Sequence, residues 1–197
     1  MKQCTCQKKK KIFYPENKSV WRSWLQTYHQ TEQSVWLVYY KKSSNKPSVT
    51  WSEAVDEALC FGWIDSKIIS IDHERSQQFF SKRKPSSTWS KINKDKVEKL
   101  IAAGLMAEAG YISIEIAKQN GSWTMLDEVE ELIIPADLEA EFTDNPNSKD
   151  FFLNLSKSSK KIILSWLVLA KTTETRQKRI REIIEQGNLK QKPKHMV

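Results

Sequence analysis

The sequence predicts an α+β fold, with a small antiparallel sheet and flanking helices on the amino-terminal side and an all-helical carboxy-terminal part. Three observations carry this expectation. Val35 to Tyr40 (VWLVYY) is an unbroken β-branched and aromatic run, the composition of a strand covered on both faces. Trp63 to Ile71 (WIDSKIISI) and Gln77 to Arg83 (QQFFSKR) flank the polar stretch DHERS, which is the layout of a hairpin. Beyond Pro85 the apolar residues recur at helical spacing instead.

The elements follow in chain order. In VWRSWLQTYH, Val20, Trp24, Leu25 and Tyr28 share one face of a helix. After the strand near 35 to 41, SSNKPS supplies turn chemistry. Thr50 and Glu53 then fit a capping box, in which the Thr hydroxyl takes an orphan amide and the Glu reaches back to the Thr amide. Ala54, Val55, Ala58 and Leu59 form the stripe of a helix over about 51 to 61. Gly62 stands where a left-handed helix end wants glycine.

Asn93 reads as the cap of a helix carrying Val97, Leu100 and Ile101 that stops at Gly104. YISIEIAKQ alternates like a strand, but Ala109, Ile112, Ile116 and Ala117 also fit a helix, and the helix is preferred. A short acidic helix near Asp127 to Leu132 follows, and Pro135 opens another. SKSSKKIILSWLVLA becomes apolar on nearly every side, as a buried helix does. Thr172 or Thr173 caps a final helix facing inward with Ile180, Ile183 and Ile184 and ending at Gly187. The expected organisation is a basic tail at 1–11, an α+β domain at 12–90, a helical domain at 91–187 and a second basic tail at 188–197.

A chain of 197 residues with 39% hydrophobic content and eight Trp has the material for a proper core. Its formal charge of +8 is confined to the ends: residues 1–11 carry five Lys, residues 188–197 carry three, and the other 24 basic side chains balance all 24 acids. A neutral body lacks the long-range attraction of a nucleic-acid binder. Within it, residues 127–150 hold nine acids and one Lys, and residues 157–181 hold eight basic residues and one Glu. Such opposite blocks are expected to face each other or solvent.

Cys4, Cys6 and Cys60 give neither a disulfide framework nor the four-ligand spacing of a zinc site, and His29, His73 and His195 are scattered. No cofactor or metal is expected. No apolar run approaches a membrane span and no signal-peptide core follows the amino terminus, so the expected location is the cytoplasm.

The candidate site lies in the hairpin. With DHERS as a five-residue loop, Ile71 pairs with Gln77, Lys67 opposes Ser81 and Asp65 opposes Arg83. An acid and a guanidinium then meet beside Trp63, within reach of Trp89. The bland reading is a sheet ion pair worth a fraction of a kcal/mol. The sharper one is a Trp-lined recess for a small anion, with Trp63, Asp65, Lys67, Arg83 and Trp89 as binding residues. There Arg83 clamps a carboxylate or phosphate and Asp65 accepts a hydrogen bond or acts as base. A slip of one residue separates the pair, so the inference stands on the turn. In KPSSTWSKINKDK, Lys84, Lys91, Lys94 and Lys96 with Trp89 offer a weaker alternative, nucleic-acid binding with a stacking aromatic.

WRSWLQTYH followed by VWLVYYKKSS, WSEAVDEALCFGWIDSK, FSKRKPSSTWSKIN with VEKLIAAGLM, and SKSSKKIILSWLVLAKTTETRQKRI resemble the YdeI/OmpD-associated family. That family is also described as bacteriocin-protection proteins, and the motifs keep its order over roughly residues 13 to 187. Ser81-Lys82-Arg83 stands where relatives carry a Thr-Pro-Arg stretch, keeping the Arg and losing the proline. The resemblance implies a small soluble bacterial protein linked to envelope stress or bacteriocin protection, with protein association as one route, and no agreed reaction. Two classes of function follow: a protection factor that binds a protein or small ligand, or an enzyme on a small anionic substrate with Arg83 as clamp and Asp65 as base.

Overall fold

The computed structural model describes residues 11–196. The expected amino-terminal tail, with Cys4 and Cys6, therefore lies outside the described residues except for Lys11, which forms an ion pair with Glu32. The chain divides into two compact units: the chain through Ser87 with Ile92–Ser122, and Thr88–Lys91 with Trp123 onward.

The first unit is built on a four-stranded sheet in the order β1-β2-β4-β3. Its strands are β1 (Ile12–Phe13), β2 (Ser34–Tyr40), β3 (Trp63–Ser70) and β4 (Arg75–Lys82). The sheet is antiparallel apart from β1, which runs parallel to β2. A two-residue strand is too short to display the period of two that marks a strand in sequence, so β1 was not foreseen.

Helix α1 (Lys18–Tyr28) is capped by the Asn17 side chain, which accepts from the Val20 amide. Its buried stripe is Trp21, Trp24 and Leu25, whereas Val20 is 38% exposed, so the inward face is rotated from the one expected. The Trp21 ring meets Phe80 edge-on at 5.5 Å and its indole N–H donates to the Ala54 carbonyl at 3.0 Å. Helix α2 (Trp51–Cys60) opens with the expected capping box, the Glu53 amide donating to Thr50 Oγ1 and the Thr50 amide to Glu53 Oε2. It buries Ala54, Val55, Ala58 and Leu59, and Gly62 follows at φ +70°. Burying a side chain of Leu or Val size contributes about 1.5–3 kcal/mol, against about 0.2–1 kcal/mol for a surface ion pair, so this stripe and the indoles hold the helices on the sheet.

The hairpin departs from the expected register, for two reasons. Asp72 Oδ1 accepts from the amides of Glu74 and Arg75 while its Oδ2 takes the Arg75 guanidinium. This draws the turn tight, so that the Ile71 amide donates to the Arg75 carbonyl and only residues 72–74 remain in the loop. Ile69 consequently pairs with Gln77 rather than Phe79. A bulge between Asp65 and Ile68 then shifts the ladder by one more residue, so Asp65 stands opposite Phe80, not Arg83.

Helices α3 (Lys91–Ala102) and α4 (Glu108–Gln119) fall with the sheet unit apart from Lys91, rather than in a helical domain beginning at 91. Asn93 lies inside α3 and is not its cap. The helical reading of YISIEIAKQ holds, but the buried stripe of α4 is Gly110, Ile114 and Ala117, leaving Ile112 and Ile116 outward.

The second unit contains α5 (Asp127–Glu130), α6 (Ala136–Asp144), α7 (Pro146–Leu153), α8 (Lys157–Val168) and α9 (Thr173–Asn188). Pro135 precedes α6 as expected, and Pro146 at the first position of α7 marks a helix the sequence reading passed over. The core gathers Leu138, Phe142, Ile163, Leu167, Ile180 and Ile183. Helix α8 is buried on one side only, with Ile162 50% exposed, which corrects the expectation of an all-round buried helix. The Thr172 hydroxyl caps α9, and Ile180, Ile183 and Ile184 face inward as expected. The helix does not stop at Gly187: that glycine is buried within it, where a Cβ would lie 2.2 Å from Ser148 Oγ, so its missing side chain serves close packing against α7.

The two charge blocks are joined by ion pairs. The Arg176 guanidinium forks onto both carboxylate oxygens of Asp137, and Lys161 pairs with Glu130. The expected carboxy-terminal tail is docked through Met196. Lys190 turns the chain at φ 56°, the Lys194 amide donates to Glu182, His195 stacks on Trp166 at 4.0 Å, and Met196 packs on the core.

The tight turn gives a direct prediction. The Asp72 carboxyl is pulled from 3.8 down to about 2, first by its Arg75 hydrogen bond, so its contribution is full above the ordinary carboxylate range and is lost as pH falls through about 2. Asp72→Ala is expected to speed amide exchange at Ile71 while leaving the β2–β4 amides slow. Unchanged exchange at Ile71 would mean that the turn does not depend on this carboxylate.

Candidate functional site

Of the residues proposed from sequence, Trp63, Asp65 and Lys67 do not line the cleft that Arg83 lines. Trp63 is fully buried, its ring edge-on to Trp24 at 5.7 Å, so it belongs to the core and walls no recess. Asp65 turns toward the helix-covered side of the sheet, where its Oδ2 accepts from Trp51 Nε1 at 3.1 Å and from Gln78 Nε2 at 2.5 Å. Its carboxylate therefore ties α2 to β3 and β4. The nearby Tyr39 phenol, 7% exposed, is raised well above its usual range by burial and then by the Asp65 charge.

Lys67 lies over the Trp36 ring at 5.4 Å. Trp89, 1% exposed, sits in the second unit with its ring 4.9 Å from Trp123. A buried indole offers no face to a nucleobase, and Lys96 of the same segment is engaged by Asp56 and Ser52, so the stacking arrangement is not formed.

Arg83 is placed differently. With β4 ended at Lys82, its amide donates to the Gly62 carbonyl at 2.9 Å, which holds it at the junction of the sheet with the end of α2. There it lines a cleft of about 410 Å³ in the sheet unit. Phe61 and Pro85 form apolar walls, and Ile112 and Ile116 of α4 extend that surface outward. Lys82 also lines the cleft, its ammonium donating to the Gln30 carbonyl at 2.7 Å. His29 Nδ1 lies 2.8 Å from the Leu25 carbonyl, which can only accept, so Nδ1 carries the proton; the ring packs on Phe61 at 5.1 Å.

The Nε and Nη1 atoms of Arg83 are buried. Burial lowers its pKa to about 10, opposed by the Asp65 charge acting through space. The group stays cationic at neutral pH, so it brings a positive charge to the cleft lining. The arrangement suits binding of an anion with an apolar portion. Asp65 does not line the cleft, so the base of the enzymatic alternative is separated from its clamp.

Two glycines make the cleft possible. The Ala107 amide donates to the Cys60 carbonyl at 3.0 Å, bringing the start of α4 onto the end of α2. A Cβ on Gly110 would lie 2.4 Å from that carbonyl oxygen, and one on Gly62 would lie 2.9 Å from the Ala109 oxygen. Behind this seam Arg22 pairs with buried Glu57 and donates to the Leu105 carbonyl. The lining residues Phe61, Lys82, Ile112 and Ile116 come from separate segments, and only Lys82, beside Arg83, was open to sequence inspection.

A family model described as Domain of unknown function (DUF8412) matches residues 13–113, which is 101 of the 197 residues. The chain belongs to this family. The cleft residues through Ser113 fall within the DUF8412 match, as do Asp65 and Gln78. The model described as Bacteriocin-protection, YdeI or OmpD-Associated matches residues 131–187, from just after α5 into the last turn of α9. The resemblance noted from sequence is therefore to this domain in the helical unit, while the motifs before residue 113 lie in the DUF8412 match. No match was found among curated proteins or among solved structures.

Among the described residues no helix is long and apolar enough to cross a membrane, and no cluster of three His, Cys, Asp or Glu is placed to hold a metal ion. The seam yields the prediction of this section. Gly110→Ala forces a methyl against the Cys60 carbonyl, which unlike the Met106 side chain has no room to move. It is expected to destabilise the fold by about 1–3 kcal/mol in denaturant unfolding. A stability within error of the wild type would show that the seam is looser than drawn.

Proposed function

We propose that this protein is a cytoplasmic factor of the bacteriocin-protection type that acts by binding, and that its sheet unit takes up a small anionic ligand in the cleft beside Arg83. The observation carrying the reading is the placement of the half-buried Arg83 on the wall of an otherwise largely apolar cleft. A guanidinium beside such a cleft suits the ionic part of a ligand, while the apolar lining suits the rest of it. The family match over residues 131–187, whose description names bacteriocin protection, supports the protective role. The separation of Asp65 from the cleft favours binding over the enzymatic alternative.

The test uses the purified full chain in a thermal unfolding screen against small organic anions. At least one anion is expected to raise the midpoint saturably, as mass action requires. The rise disappears in Arg83→Met and is reduced in Arg83→Lys, which keeps the charge and loses the planar fork. Bacteria expressing Arg83→Met are expected to lose the survival that the wild type confers under bacteriocin challenge. If no anion moves the wild-type midpoint, or if Arg83→Met responds as the wild type does, the cleft is not the binding site.

A further inference from the structure

The polar groups on the cleft wall differ in what they can offer a ligand. At the end of β4, Lys82 and Arg83 can only donate hydrogen bonds, whereas the Ser113 hydroxyl and the Gln30 side-chain amide can donate or accept. His29 has the opposite fixed polarity. Its Nδ1 hydrogen is committed to the Leu25 carbonyl at 2.8 Å, so in the neutral ring Nε2 bears a lone pair and can only accept. The two nitrogens leave an imidazole on nearly opposite sides, and with Nδ1 turned back onto α1 the Nε2 edge is the one left to the cleft. Among the described residues, Nε2 makes no hydrogen bond.

The ring is also held in place. His29 follows α1 as its C-cap, its amide donates to the same Leu25 carbonyl at 2.8 Å, and its ring rests 5.1 Å from Phe61. Lys82 donates to the Gln30 carbonyl at 2.7 Å, which ties the end of β4 to the residue after His29. An acceptor with a set orientation and two cationic donors thus border one cleft of about 410 Å³, and little ordering of the imidazole is left for a ligand to bring about. Resting on the cleft reading above, we infer that the ligand carries a hydroxyl or N–H group besides its anionic group, and that His29 Nε2 accepts from it. The anionic group lies toward Lys82 and Arg83 and the donor toward the end of α1. His29 is then the residue that selects among anions, since one without the donor leaves Nε2 cut off from water and unpaired.

The experiment measures binding to the full chain by calorimetry at constant ionic strength. The probes are meta- and para-hydroxybenzoate, meta- and para-hydroxyphenylphosphonate, and the compound matching each in which fluorine replaces the hydroxyl. In at least one series the hydroxyl compound is expected to bind about tenfold tighter than its fluoro counterpart. His29→Asn keeps an amide N–H near the place of Nδ1 and has no acceptor at the place of Nε2, so this preference is expected to vanish. His29→Gln, whose amide oxygen reaches the place of Nε2, is expected to retain most of it. Equal binding of hydroxyl and fluoro compounds to the wild type in every series would overturn the acceptor role of His29 while leaving the anion cleft standing. So would a preference that survives His29→Asn, or one that His29→Gln loses as fully as His29→Asn does. A preference lost in His29→Asn with binding indifferent to Arg83→Met would uphold His29 and overturn the placement of the anion. Absence of binding by every probe would overturn both.

Discussion

The approach of α4 to the end of α2 is the constraint on which the site depends. Two backbones meet there at a distance that excludes a Cβ, with the carbonyl of Cys60 accepting from Ala107 and facing Gly110. Because that contact is fixed, α4 begins beside Gly62, and its Ile112 and Ile116 border a space that the sheet closes from the other side through Lys82 and Arg83. A larger residue at 110 would push the helix away and open the cleft to water. Arg83 stands at the sheet side of that space, its pKa lowered by burial to about 10.

Much of the fold could be read from the chain because local chemistry decided it. Thr50 and Glu53 cap α2 in both directions, the stripe of α9 is where its isoleucines place it, and β2 is an apolar run buried along most of its length. The site was less legible because it depends on register. The Asx turn at Asp72 removed two residues from the expected loop and the bulge after Asp65 removed one more pairing, so that Asp65 and Arg83 came to serve different parts of the structure. A bulge has no fixed signature in composition, and an odd shift exchanges the faces of a strand. Arg83 was found for a reason that did not hold, since its neighbours in the cleft are Phe61 and α4 rather than Asp65 and Trp63.

The helical unit shows a similar division. The acidic and basic blocks do face one another, through Arg176 with Asp137 and Lys161 with Glu130. The carboxy-terminal lysines looked like a solvated tail because charge was the only signal there, yet the pairs made by His195 with Trp166 and by the Lys194 amide with Glu182 dock that segment. Gly187 had the position of a helix terminator and serves instead as the flat spot on which Ser148 rests. In each case the deciding contact lies far along the chain from the residue it explains.

The central claim is that the cleft beside Arg83, and not the carboxylate of Asp65, receives the ligand. Side-chain NMR reads the two places separately in one titration with a carboxylate, through the Nε–H resonance of Arg83 and the indole N–H resonance of Trp51 that reports on Asp65. The account predicts a saturable displacement of the Arg83 signal with the Trp51 signal at rest. A Trp51 signal that moves while Arg83 stays still would contradict it.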